Sequence, residues 1–109
     1  MKSTRKYLIL LLFLPLVSKA DVNRVFITGI DLLDYCQQSS NFCFGYVTAV
    51  VDDTSMIYGE GASFCLPADI NAEQLQQVVI EYMENRPQQL HLPGPDIVNL
   101  ALTTAYSCP

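Results

Sequence analysis

Residues 70–87, INAEQLQQVVIEYMENRP, contain the clearest structural signal in the chain and predict an α-helix. Asn71 can cap the helix, and Gln74 three residues later completes the capping-box pair that satisfies free backbone amides. Behind this start, apolar residues recur at spacings of three and four, namely Leu75, Val78, Val79, Tyr82 and Met83. Pro87 ends the pattern because it has no backbone N–H to donate. One side of this helix is therefore expected to face a core.

The segments on either side are also largely helical in pattern. A last helix is predicted from Pro95 to Cys108, with an apolar stripe of Ile97, Val98, Ala101, Leu102 and Ala105. A first helix is predicted over 22–38, with a stripe of Val22, Val25, Phe26, Gly29, Ile30, Leu33 and Cys36. Residues 41–51 are apolar nearly all round and fit a buried strand as well as a helix. Residues 52–63, a loop or frayed helix end, and 86–94 are predicted connectors.

The N-terminus has the three parts of a secretory signal. Basic residues precede an apolar run over 7–17, and small residues stand where a signal peptidase reads the chain. The alternative is a membrane anchor, but the run has about 11 residues against the roughly 20 that a spanning helix needs, and Pro15 interrupts it. We therefore expect a signal peptide over 1–20, cleavage between Ala20 and Asp21, and a single exported domain over 21–109.

Cleavage would make the domain strongly acidic. Four of the six basic residues lie in the signal and all eleven acidic residues follow it, which leaves Arg24 and Arg86 and a formal charge of −9. Nucleic acids and anionic lipids need Lys and Arg to neutralise phosphate, so neither is an expected partner, and no membrane association of the mature form is predicted. A basic protein fits better, although the acids could also serve solubility alone.

All four cysteines belong to the exported part, where disulfides are stable. If the four segments are helices that alternate up and down, Cys36 and Cys43 meet at one end of the bundle, while Cys65 and Cys108 reach the other. Of the three pairings, only Cys36 with Cys43 and Cys65 with Cys108 keeps partners at the same end. A core from so short a chain is marginal, so the disulfides are expected to supply needed stability.

No arrangement of residues predicts catalysis. Paired cysteines are neither nucleophiles nor zinc ligands. His91 is the only histidine and lies between two leucines, where a packed or solvated role is more common than a general base. Asp52 and Asp53 are adjacent and fit a solvated turn. Phosphate-loop and calcium-loop spacings are also missing from the sequence, so no enzyme activity, metal or cofactor is expected.

Several motifs in order carry a resemblance over about residues 26–109. They are Gly29 with Leu32-Leu33 and Cys36, the Cys43-Phe44-Gly45-Tyr46 box, the Cys65-Leu66-Pro67 step, the Gln74-Leu75 helix ending at Pro87, and the closing Tyr106-x-Cys108. This pattern resembles the Rap/Tai family of periplasmic immunity proteins. The resemblance implies an all-α fold, a small disulfide-stapled bundle of about four to five helices, and so favours helix over strand for the second element.

The resemblance also implies a function. Members bind and block cysteine-dependent peptidoglycan amidases that rival bacteria inject through type VI secretion systems, and many are homodimers without enzyme activity. We expect an exposed loop to occlude the toxin's cleft. The candidate contacts are Asp52, Asp53, Met56, Tyr58 and Glu60 in the first connector and His91 in the second. Alternatively, Met56 and Tyr58 extend the second helix into the core.

A periplasmic acid-stress chaperone is the main alternative function. Such proteins hold unfolded clients while highly charged, but with every carboxylate protonated this domain would carry only Arg24, Arg86, His91 and its new amino terminus as cations. That charge is modest for keeping a complex soluble. A saposin-like lipid-binding bundle fits less well, because such folds usually have six cysteines and the acidic surface opposes anionic lipid.

Overall fold

The computed structural model describes residues 25–109, so the predicted signal over 1–20 and the cleavage point lie outside the described residues. The described part is all-α, as predicted. Its four helices are α1 (Gly29–Gln38), α2 (Ser40–Tyr58), α3 (Ala72–Asn85) and α4 (Gly94–Ala105), with short 3-10 turns at Gly59–Gly61 and Pro87–Gln89. Among these residues, no helix is both long and apolar enough to span a membrane.

The predicted helix over 22–38 is wrong at residues 25–28, which are not helical, and its first residues, 22–24, lie outside the described residues. Thr28 caps the helix: its Oγ1 accepts from the amide of Asp31 at 3.4 Å, and the Asp31 carboxylate accepts from the Thr28 amide at 3.1 Å. This capping box fixes the first turn at Gly29. The predicted stripe is also partly wrong, since Leu32 is fully buried whereas Ile30 is 59% exposed.

Residues 41–51 form a helix, and α2 continues well beyond them. Its buried positions are Cys43, Val47, Val51 and Thr54, which recur at helical spacing. The predicted connector over 52–63 is therefore wrong as far as Tyr58. The acidic pair Asp52 and Asp53 does not interrupt the helix, because both side chains are exposed while Val51 and Thr54 on the other side remain in the core.

The prediction for α3 is confirmed. The Asn71 side chain accepts from the amide of Gln74 and the Gln74 side chain accepts from the amide of Asn71, both at 2.9 Å. The helix ends at Asn85, before Pro87. α3 packs against both α2 and α4. Its buried residues are Leu75, Gln76, Val79, Tyr82 and Met83.

The last helix is shorter than predicted. α4 begins at Gly94, one residue before Pro95, and ends at Ala105 rather than at Cys108. Most of the predicted stripe is confirmed, because Ile97, Val98, Ala101 and Leu102 are all buried. Ala105 was predicted to belong to it but is exposed.

Both predicted disulfides are present. Cys36 pairs with Cys43 at the corner between α1 and α2, with Cα atoms 4.6 Å apart. Cys65 pairs with Cys108, with Cα atoms 4.9 Å apart, and ties the segment after α2 to the segment after α4. The helices between them enclose one core, whose fully buried large side chains are Leu32, Val47, Val79, Met83, Ile97, Val98 and Leu102.

Candidate functional site

The C-terminal end of α2 and the 3-10 turn after it present five of the six predicted contact residues. Thr54 is the last buried residue of the helix, and its Oγ1 donates to the Oδ1 of Asn99 on α4 at 3.3 Å. Every residue from Ser55 to Gly61 is exposed. We call residues 55–61 the α2 tip. Thr54 separates the tip from Asp52 and Asp53, which are also exposed.

The α2 tip has an apolar centre. Met56 is 88% exposed, and Ile57 and Tyr58 are each 63% exposed. The alternative that Met56 and Tyr58 extend into the core is therefore wrong, even though the helix itself does continue through them. Gly59 then ends α2 with a φ of +51°, a backbone conformation that glycine adopts without steric cost. Ile57 is not among the predicted contact residues. The sequence predicts a connector here, and a connector has no periodicity that indicates which side chains are exposed.

His91 lies on another segment. It is exposed in the α3–α4 connector, and its Nδ1 pairs with the backbone oxygen of Gln88 at 3.1 Å. That connector is fixed to the first turn of α1, since the amide of Gly29 donates to Leu92 O at 2.8 Å and that of Ile30 to Leu90 O at 2.9 Å. The structure thus groups five predicted residues along one end of α2 and places His91 apart from them in the chain. The role of His91 in binding stays a prediction.

A second surface was not predicted. An open groove of about 800 Å³ lies between the start of α2 and the length of α3, and we call it the α2–α3 groove. The α3 side supplies Glu73, Gln74, Gln76, Gln77, Val78 and Glu81; the segment before it supplies Pro67, Asp69, Ile70 and Asn71; and Ser40, Asn41, Phe44 and Tyr106 complete the lining. The polar positions 73, 77 and 81 recur every four residues, a sequence signal for one helix side that faces away from the core.

The surface is acidic throughout the described residues. Every Asp and Glu from 25 to 109 is exposed, and Arg86 is the only Arg or Lys in that range. The guanidinium of Arg86 lies 4.1 Å from the centre of the Tyr82 ring, just after the end of α3. The lining of the α2–α3 groove therefore contains carboxylates and no cationic side chain. Cationic protein surfaces are its natural complement.

The described residues offer little for covalent chemistry. All four cysteines are in disulfides, so this part of the chain has no free thiol. Within residues 25–109, no group of three His, Cys, Asp or Glu side chains could hold a metal ion. Burial raises the pKa of Tyr46, whose ring packs with Phe42 beside the α1–α2 corner. What the surface does offer is an apolar tip and an acidic groove, which are features for binding a macromolecule.

Comparison with known families agrees with a binding role. The family model of the Rap1a immunity proteins matches residues 28–108. The chain belongs to the Rap1a immunity protein family. The match begins at the Thr28 cap of α1 and ends at Cys108, so it covers all four helices and both disulfides of the Rap1a fold described above. No curated protein and no solved structure matches the chain.

Membership of the Rap1a family indicates an immunity protein against a secreted effector. Immunity protein families are generally non-catalytic, so members act by binding. The resemblance seen in the sequence is confirmed at this level, and the kind of effector is a separate question.

Proposed function

We propose that this chain is a periplasmic immunity protein that binds and inhibits a cognate peptidoglycan amidase, a cysteine-dependent effector delivered by type VI secretion. The match of residues 28–108 to the Rap1a family carries the proposal. The signal-like segment over 1–20 supports export to the compartment where such an enzyme would cut peptidoglycan. Inhibition protects the producing cell and its siblings.

The α2 tip is the proposed inhibitory element. Met56, Ile57 and Tyr58 offer adjacent apolar side chains that can be buried in the effector's cleft, and a buried aromatic or methionine at an interface is a common source of affinity. Asp52, Asp53 and Glu60 surround this centre with negative charge. Such a rim speeds encounter with a basic partner more than it strengthens the final complex. The tip would block access of the substrate to the cleft without taking part in the reaction.

A homodimer is also proposed, from the family resemblance alone. Light scattering coupled to gel filtration at micromolar concentration would report twice the monomer mass. A monomer under the same conditions would reject the dimer and leave the effector-binding proposal unaffected.

We expect a gene beside this chain's gene to encode the amidase, and periplasmic co-expression with that amidase tests the function. Cells producing the amidase alone should lyse, and cells that also produce the full chain should grow. A matched control lacks residues 1–20, so that the same protein stays in the cytoplasm and should fail to protect. Continued lysis in the presence of the exported chain would reject the proposal.

A tip variant tests the mechanism. Met56→Ala with Tyr58→Ala should weaken binding at least about 30-fold, the effect of losing a single buried anchor worth about 2 kcal/mol. Both side chains are exposed, so the free energy of unfolding should stay within about 0.5 kcal/mol of the wild type. Leu100→Ala on α4, at an apolar side chain that is 39% exposed, is the matched control and should bind normally. Wild-type affinity of the double variant in calorimetry would remove the tip from the interface.

A further inference from the structure

The α2–α3 groove has a second feature besides its carboxylates. Gln76 lines the groove, yet its side chain is only 8% exposed. Its Nε2 donates to the backbone oxygen of Ser40 at 3.2 Å, and because a carbonyl can only accept, this bond fixes which end of the amide is which. The Gln76 side chain is therefore held in one orientation between α2 and α3.

The remaining atom of that amide has no protein partner. Among the hydrogen bonds of residues 25–109, the Oε1 of Gln76 accepts none. No fully enclosed side-chain oxygen or nitrogen in this part of the chain lacks a partner, so Oε1 must keep contact with solvent. The groove that Gln76 lines provides that contact. A fixed, otherwise buried acceptor thus opens into an acidic groove.

From this arrangement we propose that the α2–α3 groove holds an arginine or lysine side chain presented by a loop of the effector. This inference rests on the proposed function and adds a second contact surface to the α2 tip. The occupant is a cationic protein segment, because hydrogen-bond acceptors and carboxylates line the groove and no cationic side chain does. Its volume of about 800 Å³ would accommodate more than one side chain.

Acceptor positions in the groove suit a guanidinium group. Glu73 and Glu81 lie on the same side of α3, eight positions apart, which corresponds to about 12 Å along a helix axis. Gln76 lies between them in the sequence. A guanidinium has five donors and no acceptor, so it can bond a carboxylate and the Gln76 oxygen together. Phe44, 41% exposed on the opposite wall, offers an aromatic surface on which a guanidinium can stack.

A peptide titration tests the groove without the effector. The probe is acetyl-Gly-Arg-Gly-amide, and its control is the same peptide with citrulline, which has nearly the same shape but no charge. In NMR spectra of the 15N-labelled protein, the arginine peptide should give saturable shifts at the Gln76 side-chain amide and at the Ser40 and Glu73 backbone amides. Equal shifts with citrulline, or none with arginine, would overturn the inference.

Charge-matched variants connect the groove to the effector. Glu73→Gln with Glu81→Gln removes two carboxylates from the groove and should lower affinity for the cognate amidase at least about 10-fold. Asp34→Asn with Asp96→Asn removes two exposed carboxylates outside it and should change affinity less than about twofold. The arginine peptide should follow the same order. Equal affinity of both variants for the amidase would refute the groove as a contact.

The two proposals fail in different ways. If the wild-type protein does not bind the amidase, the proposed function fails before any variant is compared, and the peptide titration still decides whether the groove takes a cationic side chain. If the wild type binds and Glu73→Gln with Glu81→Gln binds equally well, the groove inference fails alone.

Discussion

The Cys65–Cys108 disulfide should supply a large part of the stability of this fold. It joins residues 43 apart in sequence, whereas Cys36–Cys43 joins residues 7 apart. Cys65 and Cys108 are both exposed, so replacing them with alanine removes little packing. The variant Cys65→Ala with Cys108→Ala therefore isolates the effect of the cross-link on the unfolded chain.

The expected loss follows from loop length. In the chain-entropy model a loop of this size restricts the unfolded chain by about 4 kcal/mol at 25 °C. Two hydrogen bonds lie beside the disulfide: the Cys65 amide donates to Tyr106 O at 2.7 Å, and Ser63 and Thr103 share a hydrogen bond of 2.7 Å. They stabilise the folded state and do not change the entropy of the unfolded chain, so the expected loss stays about 4 kcal/mol. Small domains have a total stability of about 5–15 kcal/mol, so a loss of about 4 kcal/mol removes between a quarter and most of it.

Urea denaturation followed by far-ultraviolet circular dichroism would measure this loss. The free energy of unfolding should fall by about 4 kcal/mol, and the dependence on urea should steepen because an unlinked chain exposes more surface. The comparison is Cys36→Ala with Cys43→Ala, which opens the short disulfide loop and should cost about 2 kcal/mol through chain entropy. Any further loss in that variant comes from packing, since Cys43 is fully buried. A loss below about 1 kcal/mol for the long loop, with native spectra, would refute the reasoning.

Three further changes probe the fold. Gly29→Ala should lower the free energy of unfolding by about 1–3 kcal/mol in urea titrations, because the new Cβ would lie 2.9 Å from Leu90 O. Gly45 on α2 faces open space, so Gly45→Ala should be neutral or stabilising. Equal effects of the two substitutions would contradict this reasoning. Asn71→Ala should cost about 1 kcal/mol by loss of the α3 cap, and an unchanged urea midpoint would contradict it. Burial raises the pKa of Tyr46 above 10.0, so the folded state binds the phenol proton more tightly than the unfolded chain does. The resulting stability is present below pH 10.0 and should be lost as the pH rises through the pKa of the folded state. Tyr46→Phe should reduce that loss in urea titrations across pH.

Local signals explain which parts of the fold the sequence predicts. The Asn71–Gln74 capping box and Pro87 define α3 within a few residues of chain, and the structure follows both. Thr28 and Asp31 form the same kind of box at the start of α1, but the apolar residues before them continue the helical spacing and so extend the predicted helix too far. The disulfide pairing was predictable because alternating helices leave only one pairing with both partners at the same end.

The candidate surfaces needed information that no local pattern holds. Whether Met56 and Tyr58 are buried depends on where the neighbouring helices end. α2 continues for four residues past Thr54, whose side chain bonds to Asn99 of α4. The α2–α3 groove needs Ser40 and Gln76 to meet across 36 positions of chain. Spacing shows that Glu73 and Glu81 share one side of α3, but it does not show what stands opposite them.

The Cys65–Cys108 disulfide connects stability with the proposed binding surfaces. Pro67 and Tyr106, each two positions from a bonded cysteine, line the α2–α3 groove. The α2 tip lies on the other side of Cys65, four positions away at Gly61. One cross-link thus fixes part of the groove wall and also limits how far the chain after the tip can move. The acidic and apolar side chains that would select a partner do not take part in the disulfide. They could therefore be substituted while the disulfide continues to hold the surrounding backbone in place.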